Sequence, residues 1–518
     1  MATKRVKKPK ILQNITIDKV WHGGVGIGRT SDGKKVLVNG GVLPWSVIDV
    51  IVTKGKKDFF EGRVFFVHTL SKEFAEVAAP CPHYFAPWLQ TETGGEGSPT
   101  VWCGGCKRQQ VRYDKQLILK MDIVLDSFRS LKDKLEYAEM RNILPSPSER
   151  WYRNKIEYSF GDWKKWDVHN TWALWFHKQG QFSQIVDIHE CLLVSPLARK
   201  LFHHFKKLCQ DSGLPVYNQV RHHWFFRHLV IREGFNTGQF LVNLSVADNT
   251  LDSTGIAQWE ALQQIFQTDA FLKEHITSFL ISRNNGLGDT VYNSETVQSP
   301  LWWDSYMFEK LNFVQWEDNS WDSNWSANNS TTIETTFKVS INSFFQTNTH
   351  GAERLFGAAA EILGDVRGPL LDLYCGTGTI GIAFQKLGIG DSLYGIEIVP
   401  DAIIDAQYNA QINGLTNYYF AAGKAEDLLL SDPAFAKACE ETNCIIVDPP
   451  RDGLHKNVIT FLRNLRNQKP YKLLYISCNP VTLARDMWLL SDIFTARIIQ
   501  PVDMFPHTHH IETICLMS

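Results

Sequence analysis

The last third of the chain alternates short apolar β-type runs with stretches of helical spacing. From about Phe344 onward, the candidate strands are residues 369–374, 392–396, 443–447 and 473–477. Strands that alternate with helices in this way are typical of a mostly parallel, doubly wound sheet. In such a sheet the ligand site lies at the carboxyl ends of the strands. The pattern therefore predicts a Rossmann-like α/β domain over residues 336–518.

The beginning of the chain shows a different pattern. Between residues 11 and 70, short β-type segments are separated by turn signals such as Gly23-Gly24 and Asp32-Gly33. Short strands broken by such turns predict a small, OB-like β-barrel. The region from 71 to 335 mixes helical spacing, as at 117–135, with β-type runs, and this predicts an α+β central domain. A basic tail at 1–10 completes the predicted domain organisation.

The composition narrows the class of protein. The chain has 518 residues and a formal net charge of −2, so affinity for nucleic acid must come from local patches, such as the basic first ten residues. No apolar run reaches transmembrane length, and the basic start lacks the apolar region of a signal peptide. We therefore expect a cytoplasmic protein with no membrane partner, and a monomer by default. Ten cysteines in a cytoplasmic chain predict free, catalytic or metal-bound thiols rather than a disulfide framework.

One of these cysteines, Cys478, has the surroundings of a nucleophile. It follows the apolar run 473–476, and Pro480 is suited to the first turn of a helix that begins just after it. A thiol at a strand end that faces a helix N-terminus has its thiolate favoured by the unpaired backbone N–H groups. The sequence thus predicts group transfer through a covalent adduct at Cys478.

A glycine-rich loop lies about a hundred residues upstream. The run Asp372-Leu-Tyr374-Cys-Gly-Thr-Gly378 links a strand to a helix, and Glu397 ends the next strand. Because Gly376, Gly378 and Gly381 also fit the dinucleotide fingerprint, a nicotinamide cofactor is a competitor. Asp372, the Asp448-Pro-Pro turn and the nucleophile at Cys478 favour S-adenosylmethionine instead, since no hydride chemistry needs such a thiol.

Five segments together resemble one enzyme family. They are 342–348 (NSFFQTN), 372–378 (DLYCGTG), 448–453 (DPPRDG), 477–480 (SCNP) and 509–512 (HHIE). In these segments the chain resembles the RNA uridine-5-methyltransferases, and in particular their iron–sulfur branch acting on 23S ribosomal RNA. The N-terminal barrel is similar to the TRAM domain often attached to such enzymes.

The resemblance implies a role for several residues. Cys478 is the expected nucleophile, and Glu512 is the expected general base that removes the proton from carbon 5 of the methylated uracil. The residues expected to bind S-adenosylmethionine are Gln346, Tyr374, Glu397 and Asp448. The substrate implied is RNA, with the target uridine flipped into the pocket.

The resemblance also implies a metal site in the central domain. Cys81, the Cys103-Gly-Gly-Cys106 pair and Cys191 correspond to the cysteines that hold a [4Fe–4S] cluster in the cluster-bearing relatives. A Gly/Glu/Thr-rich insertion (91–100) separates Cys81 from the pair. Four-cysteine zinc and a site without metal stay open as alternatives. The other cysteines, Cys209, Cys375, Cys439, Cys444 and Cys515, are expected to pack in cores.

The choice of RNA stays open at this point. Transfer-RNA enzymes share the catalytic segments, so the ribosomal assignment depends on the barrel and on the cluster cysteines. Arg153, Lys155 and the 221–232 segment are candidate RNA contacts. Three other functions compete: a nitrogen-directed RNA methyltransferase that forms no covalent adduct, a noncatalytic RNA-binding protein, and a nicotinamide enzyme. The polar segment 318–330 has no chemistry that we can assign.

Overall fold

The structure is a computed structural model that describes residues 9–74, 78–84, 103–162, 172–178, 181–187, 189–249, 251–293, 295–302, 304–315 and 331–518. Most of the basic tail, the insertion between Cys81 and Cys103, and the polar segment 318–330 lie outside these residues. No helix within the described ranges is long and apolar enough to cross a bilayer.

Five N-terminal strands close into a barrel with the order β1-β2-β3-β5-β4, in which β3 and β5 run parallel. They are β1 (Ile11–Trp21), β2 (Val25–Arg29), β3 (Lys35–Asn39), β4 (Val47–Gly55) and β5 (Phe59–Thr69). Alternate residues such as Ile17, Val36 and Val50 fill the interior. The small predicted barrel is therefore confirmed.

Strand β2 has no counterpart in the apolar pattern because glycines occupy its tightly packed positions. A Cβ atom on Gly28 would lie 2.4 Å from the carbonyl oxygen of Thr16, and one on Gly26 would lie 2.1 Å from Cγ2 of Val42. Only glycine allows this close approach of neighbouring strands.

The central region forms a six-stranded sheet with the order β14-β13-β12-β11-β7-β8, antiparallel except for the pair β12–β13. Helix α1 (Tyr113–Ser127) and strand β6 (Glu139–Met140) come first in the chain. The elements of the central region that follow them are β7 (Lys155–Asp162), β8 (Trp172–Trp175), β9 (His177–Lys178), β10 (Gln181–Ile185), α2 (Pro196–Asp211), β11 (Phe226–Glu233), β12 (Phe240–Val246), α3 (Ser253–Thr268), α4 (Ala270–His275), β13 (Ser278–Arg283) and β14 (Val297–Trp302). An aromatic core that includes Phe202, Phe205, Phe226 and Phe279 joins α2 and α3 to one face of the sheet. The predicted α+β character is confirmed.

A two-stranded antiparallel ribbon, β15 (Tyr306–Gln315) and β16 (Thr331–Ser340), follows the central sheet. It leads into helix α5 (Thr349–Leu363), whose N-cap Asn348 accepts a hydrogen bond from the backbone N–H of Gly351.

The C-terminal region is an eight-stranded sheet with the order β19-β18-β17-β20-β21-β23-β22-β6. Its remaining elements are β17 (Pro369–Leu373), α6 (Thr379–Lys386), β18 (Ser392–Glu397), α7 (Pro400–Ile412), β19 (Tyr418–Ala422), α8 (Ala425–Ser431), α9 (Pro433–Glu441), β20 (Cys444–Val447), α10 (Lys456–Gln468), β21 (Lys472–Ser477), α11 (Pro480–Leu490), β22 (Ala496–Val502) and β23 (Glu512–Met517). Strands β17 to β21 are parallel, and β23 is antiparallel to both of its neighbours. Strands β17, β20 and β21 lie in the middle of the sheet and are almost entirely apolar and buried, as parallel strands covered on both faces must be. The predicted Rossmann-like domain is confirmed.

Three elements, β6, α1 and β16, cross the predicted domain boundaries. Strand β6 pairs in parallel with β22, and Val124 of α1 shares a core with Leu371 and Leu483, so residues from before 145 complete the C-terminal sheet. Strand β16 begins before position 336 and pairs with β15 throughout. The predicted helix at 117–135 is α1, which begins earlier and gives way to a 3₁₀ segment (Arg129–Lys134).

Candidate active site

The strand order reverses between β17 and β20, and a cavity of about 1220 Å³ opens beside the carboxyl ends of these strands. All six residues predicted to carry catalysis and cofactor binding line this cavity: Gln346, Tyr374, Glu397, Asp448, Cys478 and Glu512. They come from six separate segments distributed over almost 170 positions of the chain. We call this space the active cavity.

Cys478 lies between β21 and α11, where the sequence predicts it. Asn479 caps α11 by accepting a hydrogen bond from the N–H of Val481, and its side-chain amide donates to the carbonyl oxygen of Arg451. The predicted stabilisation of the thiolate by a backbone N–H group is present, but it is outweighed. Burial first, and then the carboxylates of Glu512 and Asp448, raise the pKa of Cys478 to about 11, so the resting group is a thiol.

Glu512 opens strand β23 and is buried. Burial, with a further contribution from the charge of Asp448, raises its pKa to about 8, while Arg451 and Lys120 act in the opposite direction. Burial also raises the pKa of Asp448, to about 7. A carboxyl group with a pKa near neutrality is suited to proton transfer, because both protonation states are accessible.

Arg451 is a residue of this site to which the sequence analysis gives no role. It lines the active cavity, and its positive charge lowers the pKa of both Cys478 and Glu512. Its backbone carbonyl also accepts a hydrogen bond from the hydroxyl of Thr482 on α11. Arg451 belongs to the DPPR motif, which marks it as a residue near the site. The motif alone does not show that its side chain faces the nucleophile.

The glycine-rich loop forms the other end of the cavity. Tyr374 and Gly376 have left-handed backbone φ angles of 68° and 55°, and a Cβ atom on Gly376 would meet nothing within 4 Å. A carboxylate oxygen of Glu397 accepts a hydrogen bond of 3.2 Å from the N–H of Gly376. An open loop beside several carboxylates suits a ligand that carries both a nucleoside and a positive charge.

Asp372 fixes the glycine-rich loop to the sheet. It is fully buried at the end of β17 and accepts a hydrogen bond from the N–H of Gly381 in α6. Among the described residues its second carboxylate oxygen has no hydrogen-bond partner, and burial raises its pKa to about 8.

The loop 503–510 precedes Glu512 and receives contacts from most parts of the molecule. Lys120 of α1 donates to Asp503 at 2.6 Å and to the carbonyl oxygen of Phe505. The hydroxyl of Tyr152 donates to the carbonyl oxygen of Pro506. In the barrel, Gly24 lies against the ring of His509. Glu512 is thus positioned by contacts from far along the chain.

The four predicted cluster cysteines line a second cavity, of about 1030 Å³, which we call the cysteine cavity. Burial raises the pKa of all four thiols, and the charge of Cys81 raises the pKa of Cys103, Cys106 and Cys191 further. Within the described residues, however, no three His, Cys, Asp or Glu side chains are grouped closely enough to hold a metal ion. The metal site therefore stays a prediction. The five cysteines assigned to packing are all buried.

The predicted RNA contacts divide into two groups. Arg153 lines both the active and the cysteine cavities, and Lys155 lines the cysteine cavity. The prediction is wrong for Arg227 and Arg232, because both are buried and donate to backbone carbonyls, Arg227 to those of Asn284, Gly286 and Gly288 and Arg232 to those of Ile341 and Ser343. Their charge stabilises turns rather than binding phosphate.

A doubly wound sheet with this loop and these carboxylates defines the class of S-adenosylmethionine-dependent methyltransferases. A family model described as tRNA (uracil-5-)-methyltransferase matches residues 328–518. An uncharacterised RNA methyltransferase from Caldanaerobacter subterraneus is 32% identical, covering 97% of this chain and 98% of that protein. A similarly described protein from Bacteroides thetaiotaomicron is 30% identical over 92% of this chain and 95% of its own length.

The fold has a solved counterpart. The crystal structure of the Pyrococcus abyssi tRNA (uracil-54, C5)-methyltransferase with S-adenosyl-L-homocysteine matches with a TM-score of 0.66 at 23% identity, covering 98% of this chain and 99% of that one. From these matches, the chain belongs to the family of RNA uracil-5-methyltransferases, and it is an S-adenosylmethionine-dependent enzyme.

Proposed function

We propose that the protein methylates carbon 5 of a specific uridine in RNA through a covalent adduct with Cys478. The observation that supports this most directly is that Cys478, Glu512 and the glycine-rich loop share one cavity. A nitrogen-directed methyltransferase needs no thiol at this position. The proposed substrate is 23S ribosomal RNA, because the chain joins an OB-like barrel and a four-cysteine cavity to the catalytic domain; transfer RNA is the alternative.

Carbon 5 of uracil is too weakly nucleophilic to take a methyl group unaided. In the proposed reaction the Cys478 sulfur bonds to carbon 6, its proton leaves for a nearby base, and the ring electrons move to oxygen 4 as an enolate. S-adenosylmethionine, when bound, supplies an electrophilic methyl group. Carbon 5 would take this group with the enolate electron pair, and the methyl–sulfur bond would break with its electrons staying on the sulfur, which leaves as S-adenosylhomocysteine.

Two bonds must then break to release the product. Glu512 removes the remaining proton from carbon 5, the carbon 5–carbon 6 double bond re-forms, and the carbon 6–sulfur bond breaks to return a thiolate. Removal requires Glu512 in its ionised form, and Arg451 and Lys120 favour that form. We further propose that Gln346, Tyr374, Glu397 and Asp448 hold S-adenosylmethionine.

The test uses methyl-labelled S-adenosylmethionine with 23S ribosomal RNA and, separately, transfer RNA. In the Glu512→Gln variant we expect a labelled protein–RNA adduct to accumulate on a denaturing gel, because the methylated ring keeps its carbon 5 proton. The adduct should disappear when Cys478→Ala is added. Cys439→Ala, a buried thiol away from the active cavity, is the matched control and should behave as the parent.

Methylated RNA without an adduct, unaffected by Cys478→Ala, would sink this mechanism and favour nitrogen methylation. Labelling of transfer RNA alone would correct the substrate while leaving the chemistry intact.

We also propose that Cys81, Cys103, Cys106 and Cys191 hold a [4Fe–4S] cluster. Their common cavity supports this, because four thiolates are the ligand set of such a cluster. Iron, sulfide and zinc analysis of anaerobically purified protein tests the proposal. Iron and sulfide in equal amounts are expected, and stoichiometric zinc would contradict it.

A further inference from the structure

A third cavity, of about 510 Å³, lies on the face of the central sheet that the helices do not cover. Lys155, Glu157 and Ser159 of β7 line it together with His228 of β11. The intervening residues, such as Ile156 and Tyr158, point into the helix-covered core, as alternation along a strand requires. We call this space the sheet cavity.

One short segment of chain runs from the sheet cavity past the cysteine cavity to the active cavity. Asn342 lines the sheet and cysteine cavities, Phe344 lines the cysteine and active cavities, and Gln346 lines the active cavity. Four residues of chain span at most about 14 Å. A single-stranded RNA with its target uridine in the active cavity can therefore reach the sheet cavity within a few nucleotides.

The polar groups of the sheet cavity are held in place. Asp289 accepts hydrogen bonds from His177 and Gln219, at 2.9 and 2.8 Å, and the turn before it is clamped by Arg227. Although burial opposes ionisation, the histidines and Arg227 hold the pKa of Asp289 below its usual value. Lys155 does the same for Glu157, at a distance of 2.5 Å. Two ionised carboxylates thus line one small space.

A buried histidine supplies an independent sign of a ligand. His228 is 4% exposed, burial lowers its pKa to about 4, and it is therefore neutral. Its Nε2 atom lies 3.4 Å from Asp289 but has no hydrogen-bond partner among the described residues. A buried polar atom in this state costs free energy that a bound polar group would recover.

We propose that the sheet cavity is a second RNA subsite, which takes an unstacked nucleobase with an exocyclic amino group: adenine, cytosine or guanine. This inference rests on the proposed function only in that the substrate is RNA. Phe176 and Tyr292 add aromatic surface for stacking. An amino group has two N–H donors and can bridge two acceptors, whereas uracil offers a single N–H. The two carboxylates disfavour a phosphate group.

The test measures RNA binding without methylation. The full chain carrying Cys478→Ala is titrated into fluorescently labelled oligocytidylate, oligoadenylate and oligouridylate of equal length. We expect Asp289→Ala and Glu157→Gln each to weaken binding of the first two by about tenfold, the range of a good base-edge contact, and to leave oligouridylate unchanged. Asp211→Asn, an exposed carboxylate of the same region that lines none of the three cavities, is the matched control.

The proposed subsite is overturned if the variants lose equal affinity for all three oligonucleotides or lose none. It is also overturned if the parent binds none of the oligonucleotides. Tighter binding of all three would show that the carboxylates repel a passing phosphate backbone. Thermal unfolding curves identify a variant that does not fold, and Glu157→Gln, which is half-exposed on its strand, serves if Asp289→Ala unfolds. Because adduct formation is assayed separately with intact Cys478, the subsite can fail while the proposed chemistry holds.

Discussion

At the scale of single residues, the charge balance around Glu512 sets, in the proposed reaction, the pH at which the methylated adduct breaks down. Burial and Asp448 raise the pKa of Glu512 to about 8, and Arg451 opposes them. The base must be ionised, so the rate of adduct decay should rise with pH and level off above about 8. Arg451→Met removes a charge that lowers this pKa. We therefore expect the rising limb of the curve of decay rate against pH to move to higher pH. Rapid-quench measurement of adduct decay across the pH range checks both statements.

Arg451→Lys is the matched control, because it keeps the positive charge and should leave the limb close to that of the parent. A limb that moves to lower pH in Arg451→Met would contradict the charge argument. Tyr374, Asp448 and Cys478 follow parallel strands and Glu397 ends one, so the strand pattern places these four at one edge of the sheet, whereas Gln346 and Glu512 were assigned from the family resemblance. The raised pKa of Cys478 was not predictable, because it results first from burial and then from the carboxylates of Glu512 on β23 and Asp448 just after β20, and the local sequence shows none of these.

At the scale of elements, the buried pair Lys120–Asp503 fixes the loop 503–510 to α1. Both side chains are inaccessible to solvent. Removing one partner leaves an uncompensated buried charge, so Lys120→Met alone should cost about 3–5 kcal/mol of unfolding free energy. The double variant Lys120→Met with Asp503→Asn leaves no such charge and should recover much of the loss. Urea unfolding measures both, and Tyr113→Phe, which removes one hydrogen bond to Asp503, is the control.

If the double variant loses more unfolding free energy than the two single variants lose when their losses are added, the pair does not act as a unit.

These contacts explain why the sequence predicts the strands well and the site only in part. The amphipathic or apolar character of α1, β17 and β21 is local, whereas the hydrogen bond from His507 to Gln116 joins residues 391 positions apart. The apolar pattern does not predict strand β2 for a related reason. Its glycines are required by the close approach of Thr16 and Val42, and the local sequence does not show these contacts.

At the scale of the whole molecule, the cysteine cavity and the active cavity are mechanically joined. The backbone N–H groups of Lys107 and Arg108, which directly follow Cys106, donate to the carbonyl oxygen of His507 at 2.8 and 3.1 Å. Arg153 and Thr508 line both cavities. Whatever holds the four thiols in place therefore also holds the loop that leads to Glu512.

Loss of that restraint should slow the reaction without weakening the binding of the cofactor. In Cys106→Ser we expect faster hydrogen exchange over 503–510 and slower adduct decay, because Glu512 is less firmly placed. Binding of S-adenosylmethionine should be unchanged, since Tyr374 follows β17 and Glu397 ends the neighbouring strand β18. Hydrogen-exchange mass spectrometry and calorimetric titration measure these effects, with Cys439→Ser as the control. Weaker cofactor binding with unchanged exchange over 503–510 would show that the cysteines act on the glycine-rich loop instead.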